Sequence, residues 1–483
     1  MVAPASTEGK GRMAVLEADY LVVGAGASGM AFVDCLIGES DAEVVLVDRR
    51  HRPGGHWNDD YPFVRLHQPS ALYGVASRPL GDDRIDETGP NAGFYERATA
   101  AELCDYYGRV LDEHLVPSGQ VHHLGMHEFL GGDPGGYELR SVLTGERTTV
   151  RVRRRLVDAT YLESSIPATH APPFAVDPDA RLVTPNDLVE LTEPPSGFTV
   201  IGAGKTAMDT CCWLVDNGVA PDAIRWVRPR DAWTNDRASL QPLALVGNFT
   251  AWLADQNEAC AGAADFGDLV ARLEDSGVFV RLDPDVEPSF YRGAILSEPE
   301  RTTLRGIANV VRLGRVVGVG TDRIELEEGS VPTDSAHVHV DCTAAGLGAG
   351  PLRPVFEEDR ITLQWVQIGI APFSAALIGY VEATREHDTE KNALCPANGF
   401  TPEADVSNYA RGWATTQRAV GAWMAEPDVN DWLTRCRLGP LGNAADHLRE
   451  PAAMQSLMRM VTAQPAAVDN LERLLAEAEG PRP

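Results

Sequence analysis

Tyr20-Leu21-Val22-Val23-Gly24-Ala25-Gly26-Ala27-Ser28-Gly29 and Phe198-Thr199-Val200-Ile201-Gly202-Ala203-Gly204-Lys205-Thr206-Ala207 decide the fold of this chain. Each is a short apolar run entering a glycine-rich turn of the G-x-G-x-x-G/A type, with Ala207 in the third glycine place of the second. A tight turn after a buried strand, with backbone close enough to touch a pyrophosphate, leaves no room for a Cβ at the first two glycines. The third lets the following helix pack close to its strand, and the free N–H groups at that helix start face the phosphates. One such turn is a weak signal. Two in one chain point to two bound dinucleotides, most simply a flavin and the nicotinamide that reduces it.

The surroundings agree. After Gly29, Met30, Phe32, Cys35, Leu36 and Ile37 suit a buried helix, and a second apolar strand, residues 44–47, closes on Asp48. An acid about 20 residues past the glycines is placed to grip a ribose hydroxyl. Gly24, Gly26, Ser28, Gly29, Asp48 and Arg49 are therefore candidate FAD residues. In the second unit the strand 224–227 is followed by Arg228 and Arg230, where an acid would otherwise stand. Arginine suits a 2′-phosphate through bidentate charge-assisted bonds, which favours NADPH over NADH. Lysine occurs only at Lys10, Lys205 and Lys391, against 42 Lys and Arg together, so Lys205 inside a phosphate turn carries weight. Gly202, Gly204, Lys205, Thr206, Arg228 and Arg230 form the candidate NADPH site. A nucleoside-triphosphate loop is excluded, because the glycine it needs is replaced by Thr199.

With 483 residues the chain should form two or three domains. The expected fold is α/β, two Rossmann-like dinucleotide-binding domains with a helical insertion and C-terminal helices. A discontinuous FAD domain spans 18–170 and 335–400, an NADPH domain 180–334 with the insertion at about 236–300, and helices 401–483. Residues 1 to about 17 read as a mobile tail. Val338 to Gly346 echoes Val157-Asp158-Ala159-Thr160 and is taken as the return to the first domain. The net charge of −28 argues against nucleic acid and anionic membranes as partners. Eight cysteines without a Cys-x-x-Cys argue against a dithiol reductase and for reduced thiols in the cytoplasm. No signal sequence or membrane span is expected, and a homodimer is the candidate assembly. His122, His123 and His127 lack a carboxylate or cysteine at ligand spacing, so no metal site is expected.

Past Asp48 come Arg52-Pro53-Gly54-Gly55-His56-Trp57 and then Tyr61-Pro62-Phe63-Val64-Arg65-Leu66-His67-Gln68-Pro69-Ser70-Ala71-Leu72-Tyr73. Over residues 18 to about 235 this order of motifs resembles the class B flavoprotein monooxygenases, the flavin-containing and Baeyer–Villiger group. The resemblance implies that Gly54, Gly55, His56, Trp57 and Thr160 adjoin the flavin dinucleotide. It places Arg65, His67 and Gln68, the candidate catalytic residues, near the isoalloxazine. It implies an FAD-dependent, NADPH-reduced monooxygenase that inserts one oxygen atom of O2 into a small organic substrate. The alternative is an NADPH-dependent flavoprotein reductase or dehydrogenase without oxygen insertion. Three departures weigh against ketone-to-ester chemistry: no Phe-x-Gly-x-x-x-His precedes the second turn, the Ala-Thr-Gly turn reads Ala159-Thr160-Tyr161, and His67 stands where those enzymes carry an acid. A histidine there could move protons, its ordinary titration lying near neutrality. The substrate pocket should draw on residues from about 236 to 300 and 360 to 400, with Phe373, Tyr380 and Phe400 as candidate walls.

Overall fold

In the computed structural model of the protein, which describes residues 14–162, 164–348, 350–401 and 405–479, the run at Tyr20 is the end of a strand, Ala14–Val23. Residues 14–17, expected in the tail, already belong to that strand; the rest of the tail lies outside the described residues. The strand is central to the first sheet, parallel to Val44–Val47 on one side and to Arg147–Asp158 on the other. Val121–Leu124 extends the parallel set at one edge and Arg360–Thr362 at the other. Val44–Val47 is buried throughout, which is why it reads as an unbroken apolar run rather than an alternating one. The helix Ala27–Glu39 buries every residue from Gly29 to Ile37, because Ala371–Thr384 covers its outer side. The two helix backbones approach closely: a Cβ at Gly379 would come within 2.7 Å of the Phe32 carbonyl oxygen.

The second sheet has five strands, all parallel: Asn309–Val311, Ile224–Val227, Phe198–Ile201, Val338–Asp341 and Arg181–Val183. Its centre, Phe198–Ile201, leads into the helix Lys205–Asp216 just as Ala14–Val23 leads into Ala27–Glu39. This corrects one expectation. Val338–Asp341 pairs with Phe198–Ile201, so the chain is still in the second sheet at 338–341 and rejoins the first only with the hairpin of Phe356–Glu357 and Arg360–Thr362.

Within the stretch expected as a helical insertion, Val246–Gly262 and Phe266–Asp275 are helices, whereas Phe290–Leu296 is a strand parallel to Ala232–Asp236. The helices share an apolar core with the C-terminal segment, in which Phe279, Tyr291, Tyr409, Trp413 and Leu471 meet. The long helix Pro451–Glu479 lies along Val246–Gly262, tied by Asn470 Nδ2 to the carbonyls of Cys260 and Ala263, each at 2.8 Å. No helix among the described residues is long and apolar enough to cross a membrane.

Candidate active site between the two nucleotide folds

Gly24 turns the first strand with φ +106°, a left-handed conformation that side chains rarely adopt. Its amide donates to the Val47 carbonyl at 2.8 Å. No side chain caps the helix that begins at Ala27, and no acid lies in its first turn, so the helix start with Ser28 keeps its affinity for an anion. Asp48 is buried and fixes the turn: one carboxylate oxygen accepts from the Ala25 amide at 2.7 Å, the other from the Arg50 amide at 2.8 Å. The Gly54-Gly55 loop folds over this turn. A Cβ at Gly55 would lie 3.1 Å from Gly26 Cα, so bare backbone faces bare backbone. Trp57 is half-buried and donates to Tyr73 Oη at 3.0 Å; His56 pairs with Asp60 at 2.7 Å. Arg49 is exposed. Thr160 bonds back to Asp158 through its amide (3.0 Å) and hydroxyl (2.7 Å), and its methyl closes on Gly24. The uncapped helix start, the Cβ-free turn and the acid at the strand end together fit the adenosine diphosphate half of FAD.

The second turn repeats this construction. Gly202 has φ +135°, and its amide donates to the Val227 carbonyl at 3.0 Å. Asp341 holds the amide (2.9 Å) and hydroxyl (2.6 Å) of Thr343, as Asp158 holds Thr160. The helix Lys205–Asp216 also begins without a side-chain cap. Its cations, however, are not arranged as expected. Lys205 is buried and its ammonium is ion-paired with Asp209, one helical turn on, rather than presented with Thr206 to a phosphate. Arg228 is 4% exposed, 2.7 Å from Asp231, and stacked over the Trp226 ring. Arg312 completes that network on Asp231 (3.0 Å) and Asp283 (2.6 Å). Arg228 is thus a structural cation, while Arg230 is exposed, with its guanidinium over the Phe290 ring. Arg292, which carries no motif, stands across the turn: a Cβ at Gly204 would lie 3.6 Å from its Cζ. Backbone and helix start fit a dinucleotide pyrophosphate here, with the Arg292 guanidinium beside the turn.

Between the two turns lies a buried ionic cluster. Asp209 accepts from Tyr61 Oη at 2.9 Å as well as from Lys205, joining the Tyr61–Tyr73 segment to the second helix. Phe63 stacks on Trp213 of the same helix, ring centroids 4.8 Å apart. Glu300 receives Arg237 at 2.6 Å and Arg97 at 3.5 Å, and Arg97 also donates to the Leu66 carbonyl at 3.1 Å. Burial pushes the Glu300 carboxyl up, but Lys205, Arg237, Arg97 and the Ser297 amide hold it down at about 2. Burial and the Arg237 charge bring Arg97 down to about 10.

His67 sits in this cluster, and its surroundings move its titration away from the ordinary value. Burial, with Lys205, Arg97 and Arg237 nearby, brings it down to about 3, against the raising influence of Asp209. In this surrounding the neutral imidazole is favoured over the imidazolium. Because the folded value lies below the unfolded one, the unfolded chain binds more protons between about pH 3 and 6.5, and His67 costs stability as pH falls through that window. His67→Gln is expected to flatten the acid limb of the stability profile and to leave the pH–rate profile between pH 6 and 8 unchanged in shape. A rate step near pH 6.5 that disappears in the variant would contradict this. Arg65 is exposed and donates to the Arg97 carbonyl at 3.0 Å, and Gln68 is half-buried.

Of the expected pocket walls, Phe373 and Tyr380 are core residues at 1% and 4% exposure. Phe400 does line a cavity, of about 270 Å³, with Tyr161, Gln364, Trp365 and Asn398 among its walls.

A family model described as an NAD(P)-binding Rossmann-like domain matches residues 22–68. The uncharacterized proteins Rv2000 of Mycobacterium tuberculosis (strain ATCC 25618 / H37Rv) and Mb2023 of Mycobacterium bovis (strain ATCC BAA-935 / AF2122/97) are each 42% identical to this chain over 478 residues, 98% of it and 87% of theirs. The chain belongs to the family of these mycobacterial proteins. Among solved structures it is similar to the polycyclic ketone monooxygenase from the thermophilic fungus Thermothelomyces thermophila, with TM-score 0.52 and 13% identity over 96% of this chain and 90% of that one. Cyclohexanone monooxygenase from Rhodococcus sp. Phi1 bound to NADP+ is matched with TM-score 0.49 and 14% identity, over 92% of this chain and 98% of that one. The family member has the fold of the class B flavoprotein monooxygenases, two dinucleotide-binding folds in one chain.

Proposed function

We propose that this family member is an FAD-dependent, NADPH-reduced monooxygenase acting on a small organic substrate. The observation that supports this best is the duplication of one construction: a positive-φ glycine, an uncapped helix start and an Asp-x-Thr turn, built once on each parallel sheet. Gly24, Gly26, Gly55 and Asp48 hold the FAD dinucleotide; Gly202, Gly204, Arg292 and the exposed Arg230 hold NADPH. Bound there, the flavin supplies hydride acceptance from the nicotinamide and the transfer of one oxygen atom from O2 to the substrate.

The chain's own residues orient and enclose. Trp57 and Tyr73, hydrogen-bonded at 3.0 Å, form a rigid aromatic wall beside the Gly54-Gly55 loop. The Tyr61–Asp209–Lys205 chain and the Phe63–Trp213 stack hold the first unit against the second. His67 in its neutral form offers one ring nitrogen as donor and one as acceptor.

The test is reduction by NADPH under labelled O2 with candidate substrates present. Incorporation of one labelled atom per NADPH consumed is expected. Stoichiometric peroxide with no labelled product would overturn oxygen insertion in favour of a reductase.

A further inference from the structure

The chain passes from the first sheet to the second and back again, and the two crossings touch. One leaves the strand Arg147–Asp158; the other leaves Val338–Asp341 and ends in the hairpin of Phe356–Glu357 and Arg360–Thr362. They meet as a short antiparallel pair, Ser164–Ser165 with Gly346–Leu347. Both wall the cavity of about 270 Å³: Tyr161 and Leu162 from the first crossing, Gly348, Gly350 and Leu352 from the second. Glycines at 346, 348 and 350 give the second crossing little backbone stiffness of its own, and Gly346 takes φ +77°. Its shape therefore depends on the side chains that grip it.

At its start, Asp341 accepts from the Thr343 amide and hydroxyl. Further on, Tyr161 Oη lies 2.9 Å from the Gly350 carbonyl oxygen and 3.0 Å from that of Pro351. Gln364 Nε2 donates to the Arg353 carbonyl at 2.9 Å. Another grip comes from the strand Phe290–Leu296: Arg292 Nη2 donates to the Ala345 carbonyl at 3.0 Å. The same guanidinium stands beside the second glycine turn, where a Cβ at Gly204 would lie 3.6 Å from its Cζ and 3.8 Å from its Nε and Nη1. One planar group thus touches both the dinucleotide turn and the crossing.

A guanidinium presents donors on more than one edge, so it can serve a phosphate and a carbonyl together. A half-buried arginine keeps part of its side-chain freedom, and ordering it costs entropy. A pyrophosphate at the turn fixes the plane by charge-assisted bonds, and the bond to Ala345 then forms at lower cost. We propose that Arg292 couples the two sites: a nicotinamide dinucleotide bound at the second turn steadies, through the Arg292–Ala345 bond, the crossing that walls the cavity. This coupling rests on the NADPH reading of the second turn.

The experiment is hydrogen–deuterium exchange of the full chain with and without NADP+, with calorimetry reporting NADP+ binding separately. Saturating NADP+ is expected to slow exchange at residues 345–348 about fivefold or more, the lower end of coupling between sites. The strand Val316–Val319, outside the crossing, should change little. Arg292→Lys keeps the charge but replaces the planar fork by one compact ammonium, so it should bind NADP+ within a few-fold of the unaltered protein and lose the slowing. Arg292→Gln should weaken NADP+ binding about tenfold, the worth of a charged hydrogen bond, and lose the slowing even at saturation. Slowing that survives in saturated Arg292→Lys overturns the proposal, and so does slowing of equal size at Val316–Val319. NADP+ that binds the unaltered protein without slowing the crossing removes the coupling alone; NADP+ that does not bind removes the NADPH reading and the coupling with it.

Discussion

Gly29→Ala is expected to yield a chain that does not retain flavin. A Cβ at Gly29 would overlap the carbonyl oxygen of Gly24 and press on the Ala159 Cβ at 3.2 Å. The obstacle is backbone, and that backbone has nowhere to move. Gly24 is tied through its amide to Val47 and is itself closed in by the Thr160 methyl and Ala159. Relief requires the helix Ala27–Glu39 to lift from its strand, and every residue from Gly29 to Ile37 is buried in that packing. Overpacking against flexible side chains costs about 1–3 kcal/mol, and a backbone collision should reach or exceed the upper end. FAD affinity should fall by about a hundredfold or more, since 1.4 kcal/mol is a factor of ten. Gly38→Ala is the control on the same helix: a Cβ there meets nothing within 4 Å, and alanine improves helix propensity by about 0.5–1 kcal/mol. Flavin content after incubation with excess FAD, together with the circular dichroism of the apoprotein, reads both variants. A Gly29→Ala protein that loads fully would remove the close strand–helix approach from the account of this site.

The two turns were legible in the sequence because steric necessity writes itself locally. A Cβ cannot be accommodated at Gly24, Gly29 or Gly202, so the residue type itself reports the geometry. Pairing between strands is decided at long range and leaves no such mark. The likeness of residues 338–346 to 157–160 is genuine, for Asp341 and Thr343 do in the second sheet what Asp158 and Thr160 do in the first. A local echo cannot say which sheet a strand joins, and the reading that it marked a return to the first sheet failed for that reason. Arg228 misled in a related way. A guanidinium at the right offset reads as a phosphate ligand until Asp283 and Arg312, supplied from far along the chain, close around it. The Lys205 pairing does leave a local mark: Asp209 stands four residues on in the same helix, the spacing at which opposite charges pair. Arg292, Arg97 and Glu300 had no motif to announce them; only the fold brings them to the turns.

The largest stability effect should come from Glu300→Gln. Arg237 is wholly buried, and Glu300 Oε2 is its carboxylate partner at 2.6 Å; Arg97, also buried, reaches the other oxygen at 3.5 Å. Removing the charge leaves two guanidinium groups facing each other in a water-poor junction, and breaking a buried pair in this way costs about 3–5 kcal/mol. Glu298→Gln supplies the contrast: that carboxylate pairs with Arg301 and Arg305 but is 61% exposed, and its loss should cost less than about 1 kcal/mol. The linkage to pH has a definite sign. Folding lowers the Glu300 carboxyl from 4.5 to about 2, so its contribution is fully present above about pH 4.5 and is lost as pH falls toward 2. A shift of that size corresponds to about 3 kcal/mol, of the same order as the substitution. Glu300→Gln should therefore lower the urea midpoint strongly at pH 7 and only slightly near pH 2.5, the two profiles converging in acid. Arg97 also holds the Leu66 carbonyl, next to His67, so loosening the cluster should loosen the loop that faces the second fold. Less product per NADPH consumed is then expected from whatever fraction of the variant remains folded at neutral pH, and parallel rather than converging stability profiles would show that the cluster's charge is not what holds this junction.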